Sequence, residues 1–328
     1  MRKLLACLLC FFCLFSAASA GQVSFGDVSF DSAAETVDLG DRAVGSKEWP
    51  EFIAFLKEFP NLKRVDMFAT QIDRDHVSLL ENALPGVAFG WKLQLMKYKN
   101  KHIVRTDADY FSTLHGQCPN HNDSDFLLIG YCTGLLALDL GHNYLKDLSF
   151  LRNMPRLRVL ILGENPTLKN IEAISELRDL EYLELFTCGI TDISPLAKLP
   201  NLTDLNLCNN KVRDWRPLKE MKQLRRLWIS GMCAKKLTAE ERRELQEALP
   251  DTEIVFSSKS PTSGGWRFFN DSKGNRDPEN RVPHYDVIYR MSQENRYIPF
   301  EESPPLPGEE APSLVTEDIE EILPVPGE

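Results

Sequence analysis

The chain has few of the features that mark a membrane protein, a disulfide-stabilised domain or an enzyme. After residue 20 no apolar run is long enough to cross a membrane as a helix. Residues 21–328 carry an odd number of widely scattered cysteines, whereas a small disulfide scaffold has dense and even-numbered ones. The motifs H-E-x-x-H and G-x-S-x-G and a glycine-rich phosphate loop are missing. We therefore expect no transmembrane segment, no dependence on disulfides, no cofactor and no enzymatic activity.

Basic residues are absent from the end of the chain. The formal net charge is −10, and nine acidic residues but no Lys or Arg lie between Tyr297 and Glu328. Because the remainder is close to neutral, the sequence does not indicate a surface for nucleic acid. Residues 301–328 are also rich in proline and lack aromatic residues, a composition that predicts a disordered tail.

The first twenty residues have the pattern of a secretory signal peptide. Arg2 and Lys3 precede an apolar stretch over 4–15, and Ala18-Ser19-Ala20 has the form of a cleavage site. This pattern predicts that residues 1–20 are removed and that the mature chain starts at Gly21. We expect the protein outside the cell or in the cell envelope.

A repeated leucine pattern dominates the middle of the chain. Four segments fit L-x-x-L-x-L-x-x-(N/C), and a fifth keeps the apolar positions but has Met232 in the ninth position. The five segments begin at Leu135, Leu157, Leu180, Leu202 and Leu224. Successive starts are 22, 23, 22 and 22 residues apart. A fixed period of this length and pattern predicts an α/β fold, a leucine-rich-repeat solenoid with a curved parallel sheet.

The residues between these segments predict how each coil is built. Apolar residues recur every third position, as at Leu145, Leu148 and Leu151, which favours short 3₁₀ turns on the convex side. Each coil then contributes one short strand to the sheet. Asparagines in the ninth position are expected to bond the backbone of the turn and not a ligand. They are Asn143, Asn165 and Asn210.

Longer units with helices are expected at both ends of the repeats. An apolar helical pattern starts at Trp49, and a second helix is predicted from about Asp75 to Leu84. Thr238 and Glu241 form a capping box for a third helix. The predicted organisation is a signal peptide (1–20), N-terminal helical units (21–86), a hairpin and polar loop (87–125), repeats with a C-terminal cap (126–257), an aromatic-containing extension (258–300) and the acidic tail (301–328).

Several segments resemble the secreted leucine-rich-repeat proteins of gut-type Firmicutes, with repeats similar to those of the internalins. They are YCTGLLALDLGHN from Tyr131, LEYLELF from Leu180, ITDISPLAKLPNLTDLNLCNN from Ile190 and LTAEERRELQEALPD from Leu237. The resemblance covers about 37–267 and implies a bacterial exported binding protein with a curved sheet. It supplies no site residues. The pattern departs at Pro166-Thr167, where one residue is inserted, and at Trp215, where isoleucine is usual.

The concave face of the sheet is the candidate binding surface. The third, fifth and seventh positions of each template point away from the core, because side chains alternate along a strand. Aromatic side chains beside charges at these positions have the composition of binding hot spots. We expect exposed residues there to bind a protein, a peptide or an envelope polymer. The candidates are Asp139, Tyr182, Glu184, Phe186, Asp204, Asn206, Arg226 and Trp228.

Two other functions remain open from the sequence. Ligand-type side chains lie close together at His115, Cys118, His121 and Asp123, and zinc needs three or four such donors. Their spacing matches no established motif, so a metal-dependent hydrolase using the loop His115–Asp125 is the enzymatic alternative. The third interpretation is a structural protein of the envelope, with the acidic tail as a spacer.

Overall fold

The computed structural model describes residues 21–95, 102–113, 121–231, 237–258, 260–262, 265–270 and 276–302. The chain divides into two compact units, Met1–Gln94 and Leu95–Glu328. The predicted signal peptide and residues 303–328 of the predicted tail lie outside the described residues. Within the part of the chain that is described, no helix is both long and apolar enough to cross a membrane.

The first unit alternates strands and helices. Its strands β1 and β2 form an antiparallel hairpin, and β3, β4 and β5 form a parallel sheet. The elements are β1 (Gln22–Phe25), β2 (Val28–Asp31), β3 (Thr36–Asp38), α1 (Trp49–Leu56), β4 (Arg64–Ile72), α2 (Arg74–Ala83) and β5 (Ala88–Gln94). Parallel strands joined by helices are the thicker repeat units that the sequence predicts for this end.

Both helices of the first unit follow from local sequence. In α1 the buried side chains Trp49, Phe52, Phe55 and Leu56 have helical spacing, and they give the helix one apolar face. The carboxylate of Asp73 caps α2 by accepting the backbone N–H groups of Asp75 and His76. The two predicted helices are therefore confirmed.

The second unit is built on the repeats. Among its described residues, the first strand is β6 (Ile103–Arg105). A seven-stranded parallel sheet follows, in which each coil contributes one short strand and the strands lie side by side in chain order. The strands of this sheet are β7 (Tyr110–Ser112), β8 (Ala137–Asp139), β9 (Val159–Ile161), β10 (Tyr182–Glu184), β11 (Asp204–Asn206), β12 (Arg226–Trp228) and β13 (Glu253–Val255). The predicted leucine-rich-repeat solenoid is confirmed.

The convex side of the coils is made of 3₁₀ turns, as the three-residue apolar period predicts. Each turn occupies five residues, and a leucine or isoleucine from it enters the core. A tight helix of this kind fits the 22-residue coil because it uses fewer residues per turn than an α-helix. The turns are Ser149–Asn153, Glu172–Glu176, Ser194–Lys198 and Arg216–Glu220.

The ninth-position asparagines are structural, as expected. The amide of Asn165 donates to the carbonyls of Leu140 and Leu162, at 2.9 and 2.8 Å, and its oxygen accepts the N–H of Leu145 at 3.0 Å. Asn210 bonds its own turn in the same way. The preceding position has a positive φ in each coil, which is filled by His142, Glu164, Thr187, Asn209 and Gly231. The buried amide satisfies the backbone groups that this turn leaves unpaired.

The repeats end in the predicted helical cap. Helix α3 (Ala239–Ala248) begins at Thr238, whose hydroxyl accepts the N–H of Glu241 at 3.1 Å. The carboxylate of Glu241 accepts the N–H of Thr238 in return, at 2.6 Å. This reciprocal capping box is the one that the sequence predicts.

After the cap the chain returns across the concave sheet. We call residues 265–270 and 276–302 the C-terminal segment. It contains β14 (Phe268–Asn270), β15 (Arg276–Arg281), α4 (Pro283–Glu294) and a final turn, Phe300–Glu302. Val287, Ile288 and Met291 form the buried face of α4, and they belong to one apolar cluster with Tyr182 and Trp228 of the repeats. The C-terminal segment therefore packs on the surface that a ligand was expected to occupy.

The expectation that the concave side chains are exposed is wrong. The C-terminal segment covers them, so that none is more than 7% exposed. Apolar side chains of the repeats and of the segment are removed from water together, which favours this packing. The covered candidates are Asp139, Tyr182, Glu184, Phe186, Asp204, Asn206, Arg226 and Trp228.

Candidate functional site on the concave sheet

The parallel register brings the predicted site residues together. Tyr182 pairs with Asp204, and Asp204 pairs with Arg226 on the next strand. Two residues further along the same strands, Glu184 pairs with Asn206. Neighbouring strands are roughly 4.8 Å apart, so these side chains are in contact range. We call the concave face of β8 to β12 the groove.

Asp204 is the anchor of one charged cluster in the groove. Its carboxylate lies 2.6 Å from Nε of Arg226 and 2.8 Å from Nδ1 of His284, and it accepts the hydroxyl of Thr203 at 2.8 Å. Burial disfavours the charged carboxylate, but the two basic side chains outweigh that effect and lower the pKa of Asp204 to about 2. This residue is therefore ionised at neutral pH although it is fully buried.

Glu184 is the centre of the second cluster. Its carboxylate accepts the hydroxyl of Tyr182 at 2.5 Å, the indole N–H of Trp266 at 2.8 Å and Nε of Arg267 at 3.0 Å. Nη2 of Arg267 bonds the other oxygen, which makes a two-point ion pair. Burial raises the pKa of the Tyr182 hydroxyl well above its usual value, and the adjacent Glu184 adds to the shift. The hydroxyl consequently stays protonated and donates to the carboxylate.

Aromatic rings surround both clusters. The indole of Trp266 lies between Tyr182 and Trp228, with centroid distances of 5.4 and 5.8 Å. The guanidinium of Arg226 lies 4.3 Å from the centroid of the Trp266 ring, within the range of a cation–π contact. Trp266 thus fills the middle of the groove and contacts the charged as well as the apolar side chains.

The remaining predicted residues line the groove further along the sheet. Asn206 donates to the carbonyl of Pro261 at 2.8 Å, which fixes the chain before it enters the groove. Asp139 accepts the N–H of Gly141 at 3.0 Å. Burial raises the pKa of Asp139 to about 6, because the hydrogen bond from Gly141 and the more distant Arg267 offset the loss of water only in part.

Several groove-forming residues were missed by the sequence analysis. His284 on α4 bonds Asp204 and stacks on Phe300, with ring centroids 4.5 Å apart. The backbone N–H of Tyr297 donates to Asp109 at 3.1 Å, and Glu301 lies 3.3 Å from Arg158. These contacts fasten both ends of α4 to the repeats. A signal was available, since apolar residues with helical spacing follow a proline that begins a helix.

The buried thiols of the repeats are protonated at neutral pH. The buried thiols of Cys132 and Cys188 have pKa values raised to about 12 by burial, and burial also raises the pKa of Cys208. A protonated thiol is a poor nucleophile. The groove offers three carboxylates, a guanidinium and several rings, which can hold a peptide through ion pairs and apolar contacts.

The predicted metal loop is only partly described. His115 and Cys118 lie outside the described residues. The carboxylate of Asp123 accepts the backbone N–H groups of Lys146 and Asp147, at 2.8 and 3.2 Å, so it already has a structural role. Nδ1 of His121 is 3.7 Å from Asp125. In the described ranges no group of three or more His, Cys, Asp or Glu side chains could hold a metal ion.

Comparison with known proteins supports the repeat fold. Residues 178–220 match the family model "Leucine Rich repeats (2 copies)". A curated relative, a Roc-COR-CHAT protease from an unknown prokaryotic organism, is 32% identical over 84 residues. That match covers 26% of this chain and 8% of the relative, so it concerns a small part of a much longer protein.

Solved structures with similar folds include two internalins from Listeria monocytogenes. The first is 17% identical with a TM-score of 0.33, and the match covers 68% of this chain and 59% of the internalin. The second, internalin C2, is 23% identical with a TM-score of 0.31, and the match covers 52% of this chain and 84% of that protein. The chain thus spans little more than half of the first internalin.

Proposed function

We propose that this protein is an exported binding module that recognises a protein or peptide in its groove. The observation that supports the proposal is that the groove already holds a stretch of polypeptide. Parts of the chain's own C-terminal segment, Trp266, Arg267 and residues from α4 to Phe300, lie there and are held by both charged clusters and by the aromatic rings. The proposed ligand-contacting residues are those predicted from the repeats, namely Asp139, Tyr182, Glu184, Phe186, Asp204, Asn206, Arg226 and Trp228.

In this proposal the C-terminal segment is an intramolecular occupant. An external ligand reaches the groove when the segment leaves it, and the ligand then replaces contacts such as those of His284 and Phe300. The affinity for the ligand is reduced by the fraction of molecules in which the groove is closed. Loosening the segment without changing the groove should therefore increase ligand capture.

A cross-linking pull-down from the native culture tests this proposal. The full chain is compared with a loosened form carrying His284→Ala and Phe300→Ala, and capture of the same partner is expected to rise. Adding Phe186→Ala and Trp228→Ala to the loosened form should reduce capture. Adding Arg152→Ala on the convex side is the matched control and should leave it unchanged. Equal capture by all forms would place the binding surface elsewhere, outside the groove.

Export is a separate part of the proposal. It is supported by Arg2, Lys3 and the apolar stretch before Ala20. The expected result is that protein from the culture medium or envelope begins at Gly21, as measured by mass spectrometry of its N-terminal peptide. Recovery of the chain only inside the cell, with residues 1–20 still present, would contradict it.

A further inference from the structure

The hydrogen bonds of Glu184 are supplied mainly by the C-terminal segment. Tyr182, which lies on the same strand, donates one of them. Trp266 donates one and Arg267 donates two, including a bond to each carboxylate oxygen. Glu184 is fully buried beneath the segment, and Arg267 supplies the cation that bonds its carboxylate. The segment therefore completes the charge balance of the groove.

A covered Glu184 without a bonded cation is unfavourable. A buried carboxylate that loses its partner keeps the cost of its desolvation without the compensating attraction. Any ligand that covers Glu184 in place of the C-terminal segment must accordingly bring a positive charge to it.

The geometry favours a guanidinium over an ammonium group. Arg267 forms a fork with the two oxygens of Glu184, and its guanidinium lies between the rings of Phe186 and Tyr285, at 5.4 and 5.3 Å. A guanidinium is flat and can bond two oxygens while its faces meet rings, whereas a lysine ammonium is a compact charge with neither property. The geometry of the contact therefore suits an arginine side chain better than a lysine side chain.

Trp266, the residue before Arg267, also contacts Glu184 and the rings of the groove. The indole of Trp266 is buried, and its N–H bonds the same Glu184 oxygen that receives Nε of Arg267. Its ring packs against Tyr182, Trp228 and Arg226. Trp266 and Arg267, an aromatic residue followed by an arginine, thus bond Glu184 together.

We propose that Glu184 and Phe186 form an arginine-selective subsite of the groove, and that the external ligand is a protein segment in which an aromatic residue precedes an arginine. This inference rests on the proposed function, since it names the ligand of the same groove. Trp266 and Arg267 act as the built-in copy of that ligand.

The experiment uses a synthetic fluorescent peptide with the sequence of residues 265–302. It is added to the full chain carrying W266A and R267A, and binding is measured by fluorescence anisotropy. A matched peptide with Arg267→Lys is the comparison, and we expect it to bind at least tenfold more weakly. The unmodified chain should bind the parent peptide at least tenfold more weakly than the variant chain, because its own segment competes at high effective concentration.

Glu184→Gln in the variant chain removes the charge that selects arginine. The difference between the arginine and lysine peptides should then fall below about threefold, since a neutral amide does not favour the fork. Equal binding of the two peptides to the variant chain, no binding of either, or a preference that survives Glu184→Gln would each overturn the proposal.

A second measurement does not depend on the folding of the double variant. In the otherwise unmodified full chain, Arg267→Lys should raise the hydrogen-exchange rate of the α4 amides at least tenfold by weakening the closed state. Arg152→Lys, on the convex side of the repeats, is the matched control and should leave the rate unchanged. Unchanged exchange in Arg267→Lys would contradict the subsite. Neither measurement uses a natural partner, so a failed pull-down would count against the proposed function alone.

Discussion

The two faces of the repeats carry ion pairs of similar geometry in opposite surroundings. On the convex side Arg152 and Glu176 are 2.9 Å apart, and their side chains are 53% and 51% exposed. In the groove Arg226 and Asp204 are 2.6 Å apart, and their side chains are 8% and 1% exposed. The convex pair joins neighbouring coils in water, whereas the groove pair is sealed beneath the C-terminal segment.

The difference in exposure decides how much each ion pair contributes to the free energy of unfolding. Water and salt screen the convex pair, and such pairs are worth roughly 0–1 kcal/mol. The groove pair has lost its hydration, so each partner depends on the other and on His284. Similar distances therefore do not mean similar energies, because burial under the segment sets the contribution of the pair.

The largest effect is expected where a buried pair is broken on one side. Asp204→Ala leaves Arg226 and His284 without their carboxylate, and we expect it to lower the free energy of unfolding by about 3–5 kcal/mol. Urea unfolding followed by tryptophan fluorescence measures this, because Trp228 and Trp266 lie in the affected region.

The control for Asp204→Ala also removes the positive charge of Arg226, which the single variant leaves unpaired. Arg226→Met in the same chain replaces the buried guanidinium with an apolar side chain, and the double variant should regain part of the lost stability. A single variant that loses less than about 1 kcal/mol would show that the groove pair behaves like an exposed one.

Asp139, whose buried charge is only partly compensated, should make the stability depend on pH in the opposite sense to Asp204. Burial raises the pKa of Asp139 to about 6, so the folded chain keeps a proton that the unfolded chain loses near the ordinary value of 3.8. Stability therefore falls as the pH rises from about 4 to about 6, and it remains lower above that range. Asp204 differs, because its contribution is present above 3.8 and is lost as the pH falls through about 2.

Asp139→Asn tests this contrast. The amide oxygen can still accept the N–H of Gly141, and the variant has no charge to desolvate. It should be more stable than the parent by on the order of 2–3 kcal/mol at pH 8. At pH 4 the two chains should be alike, as measured by urea midpoints at both pH values. An equal difference at both values would mean that ionisation of Asp139 is not the cause.

Most of the scaffold could be predicted from the sequence because its causes are local. The nine-residue template fixes the strand and the asparagine turn within one coil, and the three-residue apolar period fixes the 3₁₀ turn that follows. Asn165 bonds carbonyls of its own and the preceding coil, so a single repeat and its neighbour contain the whole arrangement.

The packing of the C-terminal segment in the groove could not be predicted from the repeat periods. His284 lies 80 residues from Asp204 in the chain, and Arg267 lies 83 residues from Glu184. No repeat relates these positions. A hint was present in the apolar Val159 and Ile161, which occupy concave positions where a solvated sheet would carry polar residues. An apolar patch of this kind indicates that something covers it.

A smaller effect is expected from crowding the groove beneath the segment. A Cβ at Gly163 would overlap the ring of Phe186 on the next coil, so Gly163→Ala forces the ring to move. We expect a loss of about 1–3 kcal/mol from this overpacking, measured as the free energy of unfolding. Gly134→Ala is the control, since a Cβ there would be 3.7 Å from the Ala108 carbonyl, an ordinary contact. Similar losses in both variants would rule out the Phe186 ring as the cause.

The smallest effect is expected on the convex side. Glu176→Gln removes the charge opposite Arg152 while keeping the shape of the side chain, and we expect a change within about 0.5 kcal/mol in urea unfolding. The change should shrink further when sodium chloride is raised from low to high concentration, because salt screens exposed charges. If Glu176→Gln instead cost as much as Asp204→Ala, exposure would not be what separates the two faces. The convex 3₁₀ turns would then need their ion pairs as much as the groove does.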